Sequence, residues 1–258
     1  MGGLELQDKV AIVTGGADGI GAATVRALAE RGCAVAIFDR DAGKGDAVAA
    51  QQIAAGRRVT NLGVDLADSA SLSGAVQGVL DAHGRIDILV NCAGVTGGVS
   101  NLADTTEAIW DFVFAVNVKA PFLLIRQVAA HMIARGGGGR IVNVSSSSAY
   151  RALMSVPAYG SSKAALSQLT RCAAAELGPH DINVNTVAPG LTDTKMGSRN
   201  ETFAPGVAER LIREGPISNL LARISTPEDV AAVIVFLCLP ASRQITAQTI
   251  HTSAGAIV

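Results

Sequence analysis

The sequence predicts a single α/β domain, a doubly wound parallel sheet of about seven strands with helices on both faces and a small inserted flap. Three observations carry this expectation. Short β-rich runs alternate with longer amphipathic ones, residues suited to starting or stopping helices stand at the junctions, and no linker-like stretch divides the 258 residues. Hydrophobic residues make up 49 % and charged residues 17 %, with few aromatics, so the interior is expected to be tiled by Ala, Val, Ile and Leu.

In chain order the expected strands are Val10 to Thr14, Ala34 to Phe38, Arg58 to Gly63, Ile88 to Asn91, Arg140 to Ser145, Asn183 to Val187 and Thr249 to His251. Helical patterns lie between most of them. In Ser71 to His83, Leu72, Val76, Val79 and Leu80 share one face. Gly32 ends the first helix, Asp68 or Ser69 caps the helix that Gly84 closes, and Pro227 with Glu228 and Asp229 opens the last long one. Gly136 to Gly139 reads as a helix-to-strand turn. The stretch Leu191 to Leu221 breaks the rhythm with Gly197, Pro205, Gly206, Gly215 and Pro216, and is expected to be a flap.

The bulk numbers narrow the function classes. With a formal charge of -1 and no Lys/Arg stripe, nucleic acid is not the expected partner. The longest wholly apolar run, Val230 to Leu239, is too short to cross a bilayer. Glu5, Asp8 and Lys9 precede only a brief apolar run, unlike a signal peptide. No membrane partner and a cytoplasmic location are therefore expected. Cys33, Cys92, Cys172 and Cys238 are scattered and read as buried reduced thiols. The four histidines are equally dispersed, so no metal site is expected.

After the first strand comes Thr14-Gly15-Gly16-Ala17-Asp18-Gly19-Ile20-Gly21 and then a helix. Glycines let the backbone approach a pyrophosphate, and the free N–H groups of a helix N-terminus attract its charge. The spacing T-G-x-x-x-G-x-G departs from the usual G-x-G-x-x-G. Asp39 stands at the end of the second strand, 18 residues past Gly21, where a carboxylate accepts hydrogen bonds from ribose hydroxyls. That favours NAD (NADH) over NADP, with Asp18 adding like charge and Arg40 partly offsetting it. Asp65 and Leu66 follow the third strand and Asn91-Cys92-Ala93-Gly94 the fourth, where ligands collect in open α/β sheets.

Tyr159-Gly160-Ser161-Ser162-Lys163 places a phenol and an amine four residues apart, on one face if the stretch is helical. An isolated phenol titrates near ~10, and a neighbouring ammonium favours its ionised form. A drop of about three units would bring it into the range useful for proton transfer. Ser146, 13 residues earlier at the end of the fifth strand, is placed to meet the same substrate oxygen.

These motifs together resemble the short-chain dehydrogenase/reductase family, a Rossmann-type fold, along nearly the whole chain. The glycine loop, Asp65, Asn91-Cys92-Ala93-Gly94, Asn117, Ser146, Tyr159 with Lys163, and Pro189-Gly190 followed by Thr194 occur in that family's order. Cys92 replaces the usual second Asn. The resemblance implies an enzyme that interconverts a secondary alcohol and a ketone. Tyr159 would be the acid/base, Lys163 would lower its pKa and bind the nicotinamide ribose, and Ser146 would polarise the substrate oxygen. Asn117 would hold a water linking Lys163 to solvent. The cofactor would lie on Gly15, Asp18, Gly19, Ile20, Asp39, Arg40, Asp65, Leu66, Asn91, Ala93 and Gly94, with Tyr159 and Lys163, while Pro189, Gly190, Thr192 and Thr194 contact its carboxamide end.

The substrate, a small-molecule alcohol or ketone, is expected against the loop after Gly94, the stretch Ser147 to Val156 and the flap, at Ser146, Ser148, Tyr150, Leu153, Met154, Tyr159, Leu191, Met196 and Phe203, a largely apolar set, with Arg151 or Arg199 available to an acidic group. Steroid, cyclic alcohol, acyl thioester and sugar stay open. The resemblance also suggests a homotetramer joined through Ser161 to Leu177 and Gln248 to Val258, with Trp110 as packing. The rival readings are an NADPH-dependent 3-oxoacyl thioester reductase and a catalytically silent nucleotide-sensing protein.

Overall fold

The computed structural model describes residues 4–196 and 207–257. Seven strands form one sheet in the order β3-β2-β1-β4-β5-β6-β7, and every neighbouring pair is parallel. They are β1 (Val10–Thr14), β2 (Ala34–Asp39), β3 (Val59–Gly63), β4 (Ile88–Asn91), β5 (Gly139–Val144), β6 (Ile182–Pro189) and β7 (Thr249–Thr252). The chain runs outward through β2 and β3, then crosses back to β4 on the other side of β1. The strand order thus reverses between β1 and β4, and a crevice opens there at the strands' C-terminal ends.

Helices cover both faces because the strands present apolar side chains to both. Ile12 and Leu89 pack with Leu72 and Val76 of α3 (Ser69–His83), and with Leu124 and Val128 of α5 (Ala120–Arg135). Their neighbours Ala11, Val13 and Val90 pack on the opposite side, with Val25 and Leu28 of α1 (Gly19–Glu30) and with Val230 and Ile234 of α8 (Pro227–Cys238). The period of two along each strand therefore serves two cores at once. α2 (Ala42–Ala54), α4 (Glu107–Phe114), α6 (Pro157–Leu177) and α7 (Val207–Glu214) complete the α-helices among the described residues.

The punctuation read from the sequence holds at named atoms. Asp68, rather than Ser69, caps α3 by accepting from the Ala70 N–H at 3.0 Å, and Gly84 closes it in the left-handed region with φ 71°. Thr226 and Asp229 form a reciprocal capping box at α8, with Pro227 in the first turn. Gly136 to Gly139 is the turn from α5 into β5, and three of its glycines have positive φ. Strand ends differ from expectation by a residue or two, most at β6, which extends to Pro189. Of the expected flap, residues 191–196 and 207–221 are described, with α7 inside the latter. Gly197, Arg199, Phe203, Pro205 and Gly206 lie outside the described residues.

Two readings need correction. Cys172 is exposed and Cys92 half-buried, so only Cys33 and Cys238 are buried thiols; Cys172 faces outward from α6. The other concerns apolar segments: Glu107–Arg135 is a continuous helix long and apolar enough to cross a membrane by length and composition, although Asp111, Asn117 and Lys119 break it into shorter apolar runs. In the fold α5 packs on α3, and the segment widens into a π-turn at Ala115–Lys119 between α4 and α5. Pro121 explains the widening, since it lacks the N–H that an α-helix would aim at the Asn117 carbonyl.

At the sheet's other end Asp87, 5 % exposed, ties β1, β4 and α5 together. Its carboxylate accepts from the Val10 N–H at 3.0 Å and from Arg85 at 2.6 and 2.8 Å, with Lys9 and Arg135 at 3.6 and 3.5 Å. Burial alone would raise its pKa, but the Arg85 and Val10 donors and the cations outweigh it and hold the carboxyl below its usual range. Because the folded value is depressed, this stabilisation is present above the unfolded carboxyl pKa and is lost as pH falls through the folded one. Asp87→Asn should cost about 2–3 kcal/mol near neutral pH, discounted for the partly exposed Arg85. Urea unfolding should show that gap closing as the medium is acidified, and a pH-independent gap would contradict the ionic account.

Candidate functional site

The loop between β1 and α1 is shaped by steric necessity. Gly15 has φ 67° and Gly19 φ 50°, while a Cβ on Gly21 would collide with the Gly15 carbonyl. Asp18 caps α1 by accepting from the Gly19 N–H at 2.8 Å, and its other oxygen pairs with Lys195 at 3.6 Å. The Thr14 hydroxyl accepts from the N–H groups of Cys92 and Ala93 at 3.0 and 3.1 Å, pinning the end of β4 to the end of β1 across the switch point. Asp39 accepts from the Ala17 and Asp41 N–H groups at 3.1 and 3.0 Å, so its carboxylate fixes the glycine loop against β2.

Above these strand ends opens a cavity of about 1060 Å³. The glycine loop, Asp39, Arg40, Asp65 and Leu66 line one end; Ser146, Ser148, Tyr159 and Lys163 line the other. The second group is placed by β5 and α6. Lys163 is 2 % exposed, and its Nζ donates to the Val144 carbonyl at 2.9 Å, while the Ser145 hydroxyl donates to the Lys163 carbonyl at 2.8 Å. Tyr159 lies one turn earlier, its ring centroid 5.8 Å from that Nζ. Ser146 Oγ accepts from the Ser148 N–H at 3.1 Å and lies 3.2 Å from Ser148 Oγ.

Burial governs the electrostatics here. It pulls the Lys163 ammonium down to about 8, and pushes the Tyr159 phenol above its ordinary value, with the Ser146 hydroxyl opposing it by hydrogen bonding. The expectation that Lys163 lowers the phenol is therefore not met by the protein's own groups. The amine is committed to Val144, and desolvation of the phenol is the larger effect. Cys92 beneath the cavity is pushed up to about 12 by burial and stays a thiol.

Most residues expected at the site line the cavity: Gly15, Asp18, Gly19, Ile20, Asp39, Arg40, Asp65, Leu66, Ala93, Gly94, Pro189, Gly190, Thr192 and Thr194 toward the loop, and Ser146, Ser148, Leu153, Tyr159, Lys163, Leu191 and Met196 toward the flap. Four do not. Met154 is exposed outside it. Asn91 is buried below the floor and donates to Asn143 at 2.8 Å. The Tyr150 hydroxyl bonds Thr249 at 2.9 Å and its ring meets His251 edge-on, drawing it toward β7 and away from the cavity. Asn117 spends its side chain on the Val95 N–H and carbonyl and on Ser162, each at 2.9 Å, so that side chain does not await the expected water. Arg151 does line the cavity, but its guanidinium donates to the carbonyls of Pro216, Ser218 and Ala256 and braces the flap instead of awaiting an acid. Val95, Val99, Lys195 and Ile217 line the cavity from segments expected to meet substrate, though the sequence singles out none of them, and Ile109 and Phe112 of α4 lie outside those segments. Their spacing carries no motif.

The model of the short chain dehydrogenase family matches residues 9–204. The chain belongs to the short-chain dehydrogenase/reductase family. It is therefore a member of an oxidoreductase family. It is 38 % identical to the short-chain reductase protein NovJ of Streptomyces niveus over 96 % of this chain and 94 % of that one. Among solved structures, a Burkholderia cenocepacia short chain dehydrogenase in complex with NADP superposes with a TM-score of 0.89 at 37 % identity, covering 98 % and 99 % of the two chains. One from Mycobacterium paratuberculosis bound to NAD superposes with a TM-score of 0.89 at 30 % identity, covering 98 % of each.

For this short-chain dehydrogenase/reductase, the raised phenol has a direct readout. In the protein without dinucleotide, a wild-type minus Tyr159→Phe spectroscopic titration should place this ionisation above the ordinary tyrosine range, near ~10. An ionisation below it would show that charge, and not burial, dominates.

Proposed function

We propose that this protein is an NAD(H)-dependent oxidoreductase that interconverts a secondary alcohol and a ketone, with Tyr159 as the acid/base. The observation that carries the reading is that Ser146, Tyr159 and Lys163 open into the same cavity as the glycine loop. The cradle suits a dinucleotide: a Cβ on Gly15 would lie 2.8 Å from Ala93 Cα, and one on Gly94 3.1 Å from Lys163 Nζ, so glycine keeps the floor open at both ends. The first turn of α1 aims its N–H groups at the place a pyrophosphate would take. Asp39 would hold the adenine ribose, and Thr192 and Thr194 the carboxamide.

When bound, the nicotinamide gives or takes the hydride. The protein handles the proton. In the reducing direction the substrate oxygen rests against the Ser146 hydroxyl, and Tyr159 donates its proton to that oxygen; the raised phenol keeps this proton available at neutral pH. In the oxidising direction the proton returns to Tyr159. Lys163, held near 8, remains largely protonated at neutral pH and sits where it can stabilise a passing phenolate. The Asn117 carbonyl, which Pro121 deprives of its α-helical donor, would hold a water that reconnects Lys163 to solvent.

Asp39 supports NAD, because a 2′-phosphate would meet its carboxylate. Arg40 at the same rim, with Lys195 beside Asp18, favours a second reading, an NADPH-linked reductase of 3-oxoacyl thioesters. The NADP- and NAD-bound relatives support a nicotinamide cofactor and leave both forms open. We further propose a cytoplasmic homotetramer that acts without nucleic acid or membrane. Trp110, exposed and stacked on Phe114 with centroids 4.7 Å apart, we assign to such a subunit contact rather than to the core.

Tyr159→Phe should lower kcat at least about 100-fold while leaving NADH binding within about two-fold. Steady-state kinetics beside fluorescence titration checks this, and normal turnover in the variant would remove Tyr159 from the mechanism. Separate NADH and NADPH titrations decide the coenzyme: NADH should bind more tightly, and Asp39→Ala should narrow the difference by about ten-fold.

A further inference from the structure

We propose that the substrate is a ketone or secondary alcohol whose apolar tail leaves the cavity and lies over a preformed rim made by Val99, Leu102 and Met154. This deepens the oxidoreductase reading above and rests on it. These side chains are 74 %, 77 % and 89 % exposed. Val99 also lines the cavity, as does Leu153, the neighbour of Met154, so each of the two loops carries apolar side chains both at the cavity and on the exposed surface.

The rim is locked in place rather than loosely displayed. The Ser100 N–H donates to the Ser155 carbonyl at 3.0 Å and the Ser155 hydroxyl donates to Asn101 at 2.9 Å, joining the loop after β4 to the loop before α6. Ser155 adopts φ 64°, a left-handed conformation that costs energy in a residue with a side chain. Both bonds run through that strained residue, so cross-loop bonding holds the conformation that carries Met154. Inside, the wall toward the rim is mainly apolar, from Val95, Ile109, Phe112 and Val156, with the Thr96 hydroxyl accepting from the Gly98 N–H and the guanidinium of Arg151 engaged by three backbone carbonyls. No acid among the described residues lines this half of the cavity; Asp18, Asp39 and Asp65 all belong to the glycine-loop end. A cavity whose polar groups gather at the reacting carbon, and whose walls run apolar to the outside, selects for length of hydrocarbon.

The test is a series of methyl ketones from butanone to nonanone, reduced with NADH and with NADPH. In the wild type kcat/KM should rise about two- to four-fold per added methylene until the tail clears the rim. In Leu102→Ser/Met154→Ser the nonanone-to-butanone ratio should fall about five-fold, whereas Met154→Leu should retain it. Using the ratio within each protein removes any effect of the substitutions on folding or on the proton-transfer step. A flat series in a wild type that reduces butanone, or an unchanged ratio in the double variant, would overturn the rim while leaving the oxidoreductase reading intact. A change of oligomeric state by light scattering with no change in the ratio would make the rim a subunit contact and also overturn it. If no ketone is reduced with either coenzyme, the underlying reading fails and the proposal with it.

Discussion

The bond from Lys163 Nζ to the Val144 carbonyl is the constraint on which the chemical end depends. β5 ends at Val144, and the next two residues are Ser145 and Ser146. Ser145 returns a bond to the Lys163 carbonyl, so strand and helix are stitched at two points barely a turn apart. With α6 anchored this way, Tyr159 has only one place to go, one turn nearer the helix start and beside Ser146. An ammonium buried to this extent would be costly without an acceptor, and a backbone carbonyl satisfies one of its protons while adding no negative charge. The choice of a neutral acceptor matters. A carboxylate there would pin the lysine's charge and quench its influence on the phenol.

The same burial sets the two titrating groups against their ordinary behaviour. Desolvation favours neutral forms, raising Tyr159 and lowering Lys163. A phenol that keeps its proton and an amine that gives its own up more readily stand further apart in proton affinity than free tyrosine and lysine, and in the reverse order. The protein's own groups therefore hold the phenol neutral and ready to donate, and forming a phenolate calls for positive charge beyond what burial leaves on the amine. Burial sets this starting point before any attraction between amine and phenol is counted.

What the sequence made legible follows from how local the cause is. Parallel strands buried on both sides need continuous apolar stretches, and Asp68, Gly84 and Thr226 act on backbone within a turn of themselves, so strand and helix limits came within a residue or two. The spacing from Tyr159 to Lys163 is a helical contact written directly in the chain. The failures are of another kind. Asn91, Asn117 and Tyr150 are close in sequence to true lining residues, but their partners Asn143, Val95 and Thr249 come from elsewhere in the fold and turn each side chain away from the cavity. Arg151 was read as free to meet an acid because the carbonyls that engage it lie 65 or more residues away. A side chain's type can be read locally, whereas its commitment to a partner cannot.

That distinction also explains why the coenzyme end is easier to read than the substrate end. A dinucleotide is held largely by backbone and by small residues, so its site is recorded as glycines whose φ or clearance admits nothing else, at Gly15, Gly19 and Gly21. The substrate end is walled by Val95, Val99, Ile109, Phe112 and Ile217, any of which also belongs in an ordinary core. Apolar contact is non-directional and tolerates exchange of one hydrocarbon for another of similar size. Selection on such a wall acts on volume and on where it reaches the surface, quantities carried by the assembled loops and by no residue alone. Ser155 is the informative exception. Its left-handed backbone is a local cost with no local return, and it makes sense only through the bonds that join two distant loops into one edge.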